Sequence, residues 1–431
     1  MDMMTQGTPK SNNQISVPAA VSIGVGGMIG AGIFSILGIV AEAAGGGMWI
    51  SFLIGGIVAL FSTYSYAKLG ATFPSAGGAV EFLVRGWGIG SISGSINIFM
   101  WIGYIIAIAL YAQGFAAYVL ALFSYSATPL LSKMIALASV IFFTLINALG
   151  AGSVGKAELF IVTVKVCILV LFAAVGLFFI HADNLSSVHW NSMSDIFFGA
   201  GILFIGYEGF GLITNAAANM NDPKKNLPIA LYTSVLLVIV IYLAVSITVT
   251  GNLSISEINA TRDYALAQAA KPFLGTFGFR LIAIAALFST ASAINATLFG
   301  GANVNYMIAR DGELPTFFDR NEWRDAPFGL FLTSLLVILF ILFFDLSGIA
   351  MMGSGAFLLI YAAVNAGHLK ILSQTGAKKS IVIASLILCL IMFTVLEIYT
   401  FEKSPFTVYV MVLLLISSFI FERIYRWARM K

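Results

Sequence analysis

Long apolar stretches with few charges alternate with short polar segments along the whole chain. A helix needs about 20 apolar residues to cross a hydrocarbon core of about 30 Å, and the stretches are close to that length or longer. The pattern therefore predicts an all-α membrane protein with twelve membrane-spanning helices. We number them spans 1 to 12, at residues 17–41, 48–69, 90–123, 130–149, 156–180, 195–219, 228–250, 279–309, 328–346, 348–371, 380–400 and 406–427.

The composition agrees with this prediction. Of 431 residues, 60% are hydrophobic and 10% are charged, whereas a soluble domain carries about 25% charged residues. The polar N-terminus and the length of the first apolar stretch argue against a cleavable signal peptide. Neither the two cysteines nor the three histidines show metal-ligand spacing, and the net charge of +3 does not suggest nucleic acid. We therefore expect no metal, no cofactor and no nucleic-acid partner.

An even number of spans places both termini on one side of the membrane, and the bias of lysine and arginine decides which side that is. Sixteen of the 22 Lys and Arg residues fall on the side of the termini and five on the opposite side, while Lys165 belongs to neither. Because cytoplasmic loops carry the excess of positive charge, we expect a cell-membrane protein with both termini in the cytoplasm.

Glycine is concentrated in span 1, where the segment Ser22–Phe34 holds five glycines between Gly24 and Gly32. Each glycine costs roughly 0.5–1 kcal/mol relative to alanine inside a helix, so an ordinary span does not need them. Non-helical backbone survives at membrane depth where it is buried in protein or lines a wet cavity. The segment is therefore interpreted as a broken helix at a binding site. The alternative is close helix–helix packing, as the spacing of Gly26 and Gly30 allows.

A second glycine-rich interruption, Ile205–Gly211, lies in span 6, five spans after the first. Secondary transporters are often built from inverted repeats whose interrupted helices occupy corresponding positions and meet near the membrane midplane. The recurrence predicts two inverted five-helix repeats, at residues 17–180 and 195–371. A cytoplasmic tail at 1–16 precedes them, and spans 11 and 12 with the C-terminus follow at 380–431.

The two interruptions together offer groups that match an amino acid. Amide N–H groups around Gly30 to Gly32 favour a carboxylate, and exposed carbonyls from Ile205 to Glu208 suit an ammonium group. The backbone would then bind the part that all α-amino acids share, and side chains would recognise the rest. Candidates for that recognition are Trp101, Tyr104, Tyr207 and Phe210, although for each taken singly membrane packing is the better explanation.

Two charged residues lie deep in predicted spans. Lys165 is about nine residues, or roughly 14 Å, into span 5, where a charged lysine costs at least ~2.5–3.5 kcal/mol. Since burial favours the neutral amine, Lys165 can release and rebind a proton. The alternative is a permanently charged lysine paired for structure. Glu208 is the candidate acidic partner of Lys165. Alternatively, Glu208 binds the substrate amine or carries the proton itself. Ser289, Thr290 and Ser292 of span 8 are weaker candidates, because hydroxyls also bond their own helix.

Four motifs in combination resemble the amino acid–polyamine–organocation (APC) superfamily. Gly26–Phe34 is similar to its span 1 signature GxGxGxF, and Tyr207–Phe210 to its span 6 signature YxGF. Asn221–Pro228 and Arg310–Pro315 resemble the segments after spans 6 and 8. The match extends along essentially the whole chain and implies the leucine-transporter-like fold, two inverted five-helix repeats plus two helices. Within the superfamily, the chain most resembles archaeal proton-coupled permeases of broad amino-acid specificity.

In those permeases a lysine of span 5 places its ammonium group where sodium-coupled relatives hold a sodium ion. The resemblance implies that Lys165 contacts the carbonyl of Gly26 and the hydroxyl of Ser289. Many relatives have an acid directly after the YxGF signature, where this chain has Gly211, and the acid lies instead at Glu208. Glu208 would favour a cationic amino acid or add a second proton site. The predicted substrate site comprises Gly26, Gly27, Met28, Gly30, Ala31, Gly32, Trp101, Tyr104, Ile205, Tyr207 and Glu208.

These features together predict a secondary transporter that imports amino acids by proton symport through alternating access. An amino-acid or polyamine exchanger on the same fold is the alternative. The spans contain no nucleophile–base constellation, so we do not expect an enzyme, and paired broken helices suit occlusion better than a continuous channel. The expected partners are the amino acid, protons and the lipid bilayer, with no obligate protein partner.

Overall fold

The chain is almost entirely helical. The computed structural model describes residues 15–30, 32–125, 128–149, 154–310 and 328–430. Within these residues there is no β-strand, and extended pairing is limited to two isolated bridges, Ile15 with Met220 and Gly45 with Trp190. The all-α class predicted from the sequence is therefore confirmed.

The helices are numbered in chain order. They are α1 Val17–Met28, α2 Gly32–Ala44, α3 Met48–Thr72, α4 Ala79–Trp87, α5 Ser91–Leu122, α6 Pro129–Ala148, α7 Val154–Gly176, α8 Met193–Ile202, α9 Pro223–Asn252, α10 Ile255–Ala260, α11 Ala265–Gln268, α12 Lys271–Arg310, α13 Phe328–Phe343, α14 Leu346–His368, α15 Leu372–Thr375, α16 Lys379–Lys403 and α17 Pro405–Met430. A 3₁₀-helix, Leu203–Asn219, continues α8. Shorter 3₁₀ turns lie at Leu177–Phe179, Ala182–Leu185, Ser187–His189 and Arg262–Tyr264.

Eleven helical segments among the described residues are long and apolar enough to cross a membrane. They correspond to predicted spans 1 to 8 and 10 to 12, with α1 and α2 forming span 1, and α8 and its 3₁₀ continuation forming span 6. The remaining predicted span, 328–346, corresponds to α13, which is apolar but has 16 residues. The predicted multi-pass architecture is therefore confirmed.

Short helices between the spans were not predicted. One of them, α10, follows a capping box in which the hydroxyl of Ser254 accepts from the N–H group of Glu257 at 3.3 Å. The carboxylate of Glu257 in turn accepts from the N–H group of Ser254 at 2.9 Å. Serine followed three residues later by glutamate is the recognised sequence signal for such a start, so this helix was within reach of prediction.

Burial differs between the spans. Spans 1, 6 and 10 are 88%, 83% and 83% buried over their most apolar windows, whereas spans 4, 11 and 12 are 22%, 28% and 22% buried. The side chains that the second group exposes include Phe142, Leu390 and Leu413, as expected of helices that face lipid. The glycine-rich segments of spans 1 and 6 therefore lie inside the bundle, where α3, α9 and α14 pack against the 3₁₀-helix of span 6.

Candidate functional site

Span 1 is interrupted within its glycine-rich segment, as predicted. The helix α1 ends at Met28, Ile29 and Gly30 form a turn, and α2 begins at Gly32. The predicted site residue Ala31 lies outside the described residues. Because the last carbonyls of a helix lack partners within that helix, the interruption makes backbone oxygens at the end of α1 available to other groups.

Lys165 of α7 binds one of these oxygens. Its ammonium nitrogen donates to the carbonyl of Gly26 at 2.9 Å, and the residue is only 2% exposed. A helix C-terminus carries partial negative charge, so the position favours a cation by its dipole as well as by its acceptor. The contact that the resemblance implied between Lys165 and Gly26 is present in the structure, and the role of Lys165 in proton coupling stays a prediction.

Ser289 of α12 lies at the same interruption but contacts other oxygens. Its hydroxyl oxygen is 2.8 Å from the carbonyl of Ile29 and 2.9 Å from the carbonyl of Gly30. One hydroxyl hydrogen serves one of them at a time. The neighbouring Thr290 donates to the carbonyl of Ala286 in its own helix at 2.8 Å. Lys165 and Ser289 therefore hold the interruption from two different helices.

The interruption predicted in span 6 takes a different form. The chain passes from α8 into the 3₁₀-helix Leu203–Asn219 without unwinding, although such helices are rarely longer than 3–4 residues. At the junction the hydroxyl of Ser354, from α14, donates to the carbonyl of Ile202 at 2.5 Å and accepts from the N–H group of Ile205 at 3.0 Å. This hydroxyl pairs the backbone groups at the change of geometry, so span 6 stays helical and the prediction of a break is corrected.

Two of the carbonyls expected to bind a substrate ammonium group accept protein hydroxyls. The carbonyl of Gly206 accepts from the hydroxyl of Tyr242 at 3.0 Å, and that of Glu208 accepts from Tyr361 at 2.8 Å. A carbonyl oxygen has two lone pairs, so each retains one acceptor position. The expected acceptors are thus already oriented by tyrosine hydroxyls.

Tyr242 of α9 joins the two spans. Its hydroxyl oxygen lies 2.5 Å from the carbonyl of Met28, at the end of α1, and 3.0 Å from the carbonyl of Gly206. The residue is fully buried, and a buried tyrosine hydroxyl usually has a hydrogen-bond partner. Tyr242 was not predicted as a site residue, and the available signal was a tyrosine within the apolar run at residues 235–245 of span 7.

The same two segments touch backbone to backbone. A Cβ atom on Gly32 would lie 2.7 Å from the Cα atom of Gly206, and one on Gly27 would lie 3.0 Å from the Cα atom of Gly209. Both distances are shorter than ordinary contacts between carbon atoms. The span 1 glycines therefore serve both of the roles considered above. They interrupt the helix, and they also allow it to pack closely against span 6.

Glu208 lines a small internal cavity. The residue is 4% exposed, and the cavity has a volume of about 20 Å³, enough for about one water molecule. The other lining residues are Tyr66, Gly77, Ala79, Met100, Tyr104, Gly211, Asn215, Phe357, Ile360 and Tyr361. In this conformation the cavity is therefore too small for an amino acid.

The predicted aromatic ligands occupy different places. Tyr104 lines the cavity at Glu208. Trp101 donates through Nε1 to the hydroxyl of Thr333 at 2.9 Å, and Tyr207 donates to the carbonyl of Phe52, also at 2.9 Å. Neither Trp101 nor Tyr207 is among the residues that line this cavity, so in this conformation both make interhelical contacts.

Aromatic residues that were not predicted form part of the cavity wall. Tyr361 stacks on Phe210 with ring centroids 5.2 Å apart, and Tyr66 meets both rings edge to face. Phe357 packs against Tyr104 at 5.9 Å. The predicted candidate Phe210 thus supports the cavity from behind the residues that line it.

Comparison with known proteins assigns the chain to a family. A family model for amino acid permeases matches residues 15–420. An uncharacterized protein of Methanocaldococcus jannaschii is 43% identical over 416 residues, 96% of each chain. The inner membrane transport protein YbaT of Escherichia coli is 35% identical over 363 residues, 84% of each chain. The methylthioribose transporter of Bacillus subtilis is 27% identical over 312 residues, 69% of this chain and 67% of the relative. The chain therefore belongs to the amino acid permease family of the APC superfamily, and it is a membrane transporter rather than an enzyme.

Proposed function

We propose that this permease imports amino acids by proton symport, through alternating access and with broad specificity. The observation that carries the proposal is the buried ammonium group of Lys165, which donates to the carbonyl of Gly26 beside the interruption of span 1. A charged lysine at membrane depth costs at least ~2.5–3.5 kcal/mol, and a residue that served packing alone would not need the charge. Proton coupling gives that charge a purpose.

Protonation of Lys165 changes the strength of its contact with Gly26. A hydrogen bond to a charged group contributes about 1.5–3 kcal/mol, against about 0.5–1.5 kcal/mol for a typical neutral pair. Proton release therefore weakens the hold on the end of α1, and proton binding restores it. Because the next residue, Gly27, packs against Gly209, a movement of α1 is passed directly to the 3₁₀-helix of span 6.

The proposed substrate position lies between the start of α2 and Glu208. Amides at the N-terminus of α2, which begins at Gly32, favour a carboxylate. Glu208 favours an ammonium group, and its carboxyl forms no ion pair with a cation in the described part of the chain. Two roles follow for Glu208: it binds the substrate amine, or it carries a second proton.

Substrate binding requires a conformational change. The cavity at Glu208 measures about 20 Å³, far below the roughly 300 Å³ at which ligand pockets begin. The hydroxyls of Tyr242 and Tyr361 donate to the backbone carbonyls of Met28 and Glu208, and these hydrogen bonds connect helices that surround this region. Alternating access would enlarge the cavity toward one side of the membrane at a time, with these hydrogen bonds rearranged in each cycle.

Orientation and internal symmetry are part of the same proposal. We place the protein in the cell membrane with both termini in the cytoplasm, which the bias of lysine and arginine supports. Residues 17–180 and 195–371 form the two inverted repeats of the proposal. Support comes from the unusual geometry of the first span in each, a break in span 1 and a 3₁₀-helix in span 6.

Transport by the purified protein in proteoliposomes tests the proposal. With an inward proton gradient, we expect a labelled amino acid to accumulate without any internal amino acid and a protonophore to abolish the accumulation. Uptake that requires internal amino acid and ignores the proton gradient would identify an exchanger instead. Polyamines and methylthioribose, added as competitors, test whether amino acids are preferred, because the name of one relative specifies methylthioribose.

A further inference from the structure

A second cavity, of about 400 Å³, lies at the C-terminal end of α3. Its walls come from the end of α3, the start of α9 and the short helix α15. It shares no lining residue with the cavity at Glu208. In the proposed orientation these three elements meet on the cytoplasmic side, so the cavity is separate from the substrate position.

Among the described residues, the charged side chains that line this cavity are all positive. Lys68 and Lys224 line it, and no carboxylate does so among the described residues. Neither ammonium group forms an ion pair with another described residue. The cavity therefore brings two cations from different spans together without a countercharge from the described protein, which is unfavourable unless an anion or water compensates.

Further hydrogen-bond donors surround the two lysines. The half-buried Tyr232 and the exposed Gln374 line the same space. The hydroxyls of Thr72 and Thr375 are directed elsewhere, since Thr72 donates to the carbonyl of Lys68 at 2.8 Å. Residues that carry two ammonium groups, a phenol and an amide thus line one concave space, and these donors match an anion with several acceptor oxygens.

We propose that this cavity binds a phosphate group, carried either by an anionic lipid headgroup or by a free phosphate-bearing solute. Lysines at cytoplasmic helix ends ordinarily set topology, and exposed lysines such as Lys225 fit that role. Lys224 is exposed as well, but Lys224 and the half-buried Lys68 differ from Lys225 because they line the same cavity. Basic pockets between membrane helices on the cytoplasmic side bind anionic headgroups. Two lysines compensate the charge of either source, about −1 for a phosphodiester headgroup and about −1.5 to −2 for a free phosphate.

A phosphate in this cavity would connect elements that also hold the substrate site. The helix α9, which carries Lys224, also carries Tyr242, bonded to Met28. Thr375 of α15 is 2.8 Å from Nε2 of His368, at the end of the helix that carries Tyr361. The bound anion would therefore stabilise the conformation described here and slow its conversion to others.

Thermal unfolding of the purified protein in a neutral detergent, without amino acid, tests this site. We expect inorganic phosphate, phosphatidylglycerol or both to raise the unfolding midpoint of the wild-type protein. The double variant Lys68→Gln with Lys224→Gln should bind the active compound roughly 25-fold more weakly, about fivefold for each lysine. Lys225→Gln is the matched control, since it removes a neighbouring exposed lysine that does not line the cavity, and its shift should equal that of the wild type.

The two probes separate the two sources of phosphate. If phosphatidylglycerol alone raises the unfolding midpoint, the ligand is a lipid headgroup. If inorganic phosphate raises the midpoint, the cavity binds a free anion. No shift with either compound, or an equal shift in the double variant, overturns the site. Since no amino acid is present and no transport is measured, the result does not depend on proton symport, and a failure of symport would leave this binding unaffected.

Discussion

The ammonium nitrogen of Lys165 lies 2.9 Å from the carbonyl oxygen of Gly26. The two residues are 139 positions apart in the sequence, and Gly26 belongs to the last turn of α1. A protonatable side chain therefore touches the backbone at the point where span 1 stops being helical. Any change in the charge of Lys165 acts directly on that backbone, which makes this contact the first one to test.

Replacing Lys165 by alanine is expected to abolish proton-driven uptake while the protein remains folded. The reason is that the variant has no ammonium group at position 165 to donate to the carbonyl of Gly26. Lys165→Met retains the length of the side chain without its charge and should also lose proton-driven uptake. Its unfolding midpoint should stay close to that of the wild type, because the lost hydrogen bond and the removed cost of burying a charge offset each other.

Uptake into proteoliposomes at several pH values and thermal unfolding in detergent check both Lys165 variants. Lys225→Ala is the control, because it removes an exposed lysine from the end of a span, and it should transport normally. Full uptake by Lys165→Ala or Lys165→Met with the pH dependence of the wild type would show that Lys165 does not couple the proton.

Tyr242→Phe should destabilise this conformation by about 1–3 kcal/mol, because it removes the hydroxyl hydrogen that the carbonyls of Met28 and Gly206 share. Thermal unfolding measures the loss. Tyr409→Phe, at an exposed position of α17, is the control and should leave the midpoint unchanged. Equal midpoints for the two variants would mean that the Tyr242 hydroxyl does not hold spans 1 and 6 together.

The interruption of span 1 was predictable from the sequence because its residues are costly in a membrane helix. The glycines from Gly24 to Gly32 stand out against an apolar background, and Lys165 is a charge where charges are expensive. Such residues persist only where the fold uses them, so their positions point to the site. The partner of Lys165 at Gly26 came from the resemblance, which supplied the spatial pairing that spacing alone does not contain.

The geometry of span 6 was beyond the sequence, because it depends on a group that is remote in the chain. The hydroxyl of Ser354 reaches the N–H group of Ile205 across 149 positions. Similarly, Trp101 and Tyr207 each have a polar atom that bonds whichever acceptor the fold brings near, here Thr333 and Phe52. Their residue types indicated a buried polar contact but not its partner.

Gly209→Ala should destabilise the protein by roughly 1–3 kcal/mol and reduce uptake strongly, because its methyl group would collide with the backbone of Gly27. Gly300→Ala is the matched control. Among the described residues, no atom outside the adjacent turns of its own helix lies within 4 Å of the position that its Cβ would take. The higher helix propensity of alanine should therefore leave stability unchanged or raise it by up to about 1 kcal/mol. If both variants unfold and transport alike, close packing of spans 1 and 6 is not required.

Glu208→Gln separates the two roles proposed for the carboxyl group. The side chains have nearly the same shape, so the cavity with Tyr104 and Tyr361 should persist, while the charge and the titratable proton are lost. If Glu208 binds the substrate amine, cationic amino acids should lose affinity most. If it carries a proton, affinities should stay similar and the pH dependence of uptake should flatten.

A thermal-shift screen of the twenty amino acids and polyamines, followed by uptake at several pH values, distinguishes these outcomes for Glu208→Gln. Glu397→Gln removes another carboxyl from the membrane-spanning region, on α16, that does not line the cavity, and it controls for the loss of a carboxyl group as such. A selective change in Glu208→Gln alone would assign the role. Identical substrate profiles and pH dependence in both variants and the wild type would remove Glu208 from the site, leaving substrate recognition to the backbone groups near Gly32 and Gly206.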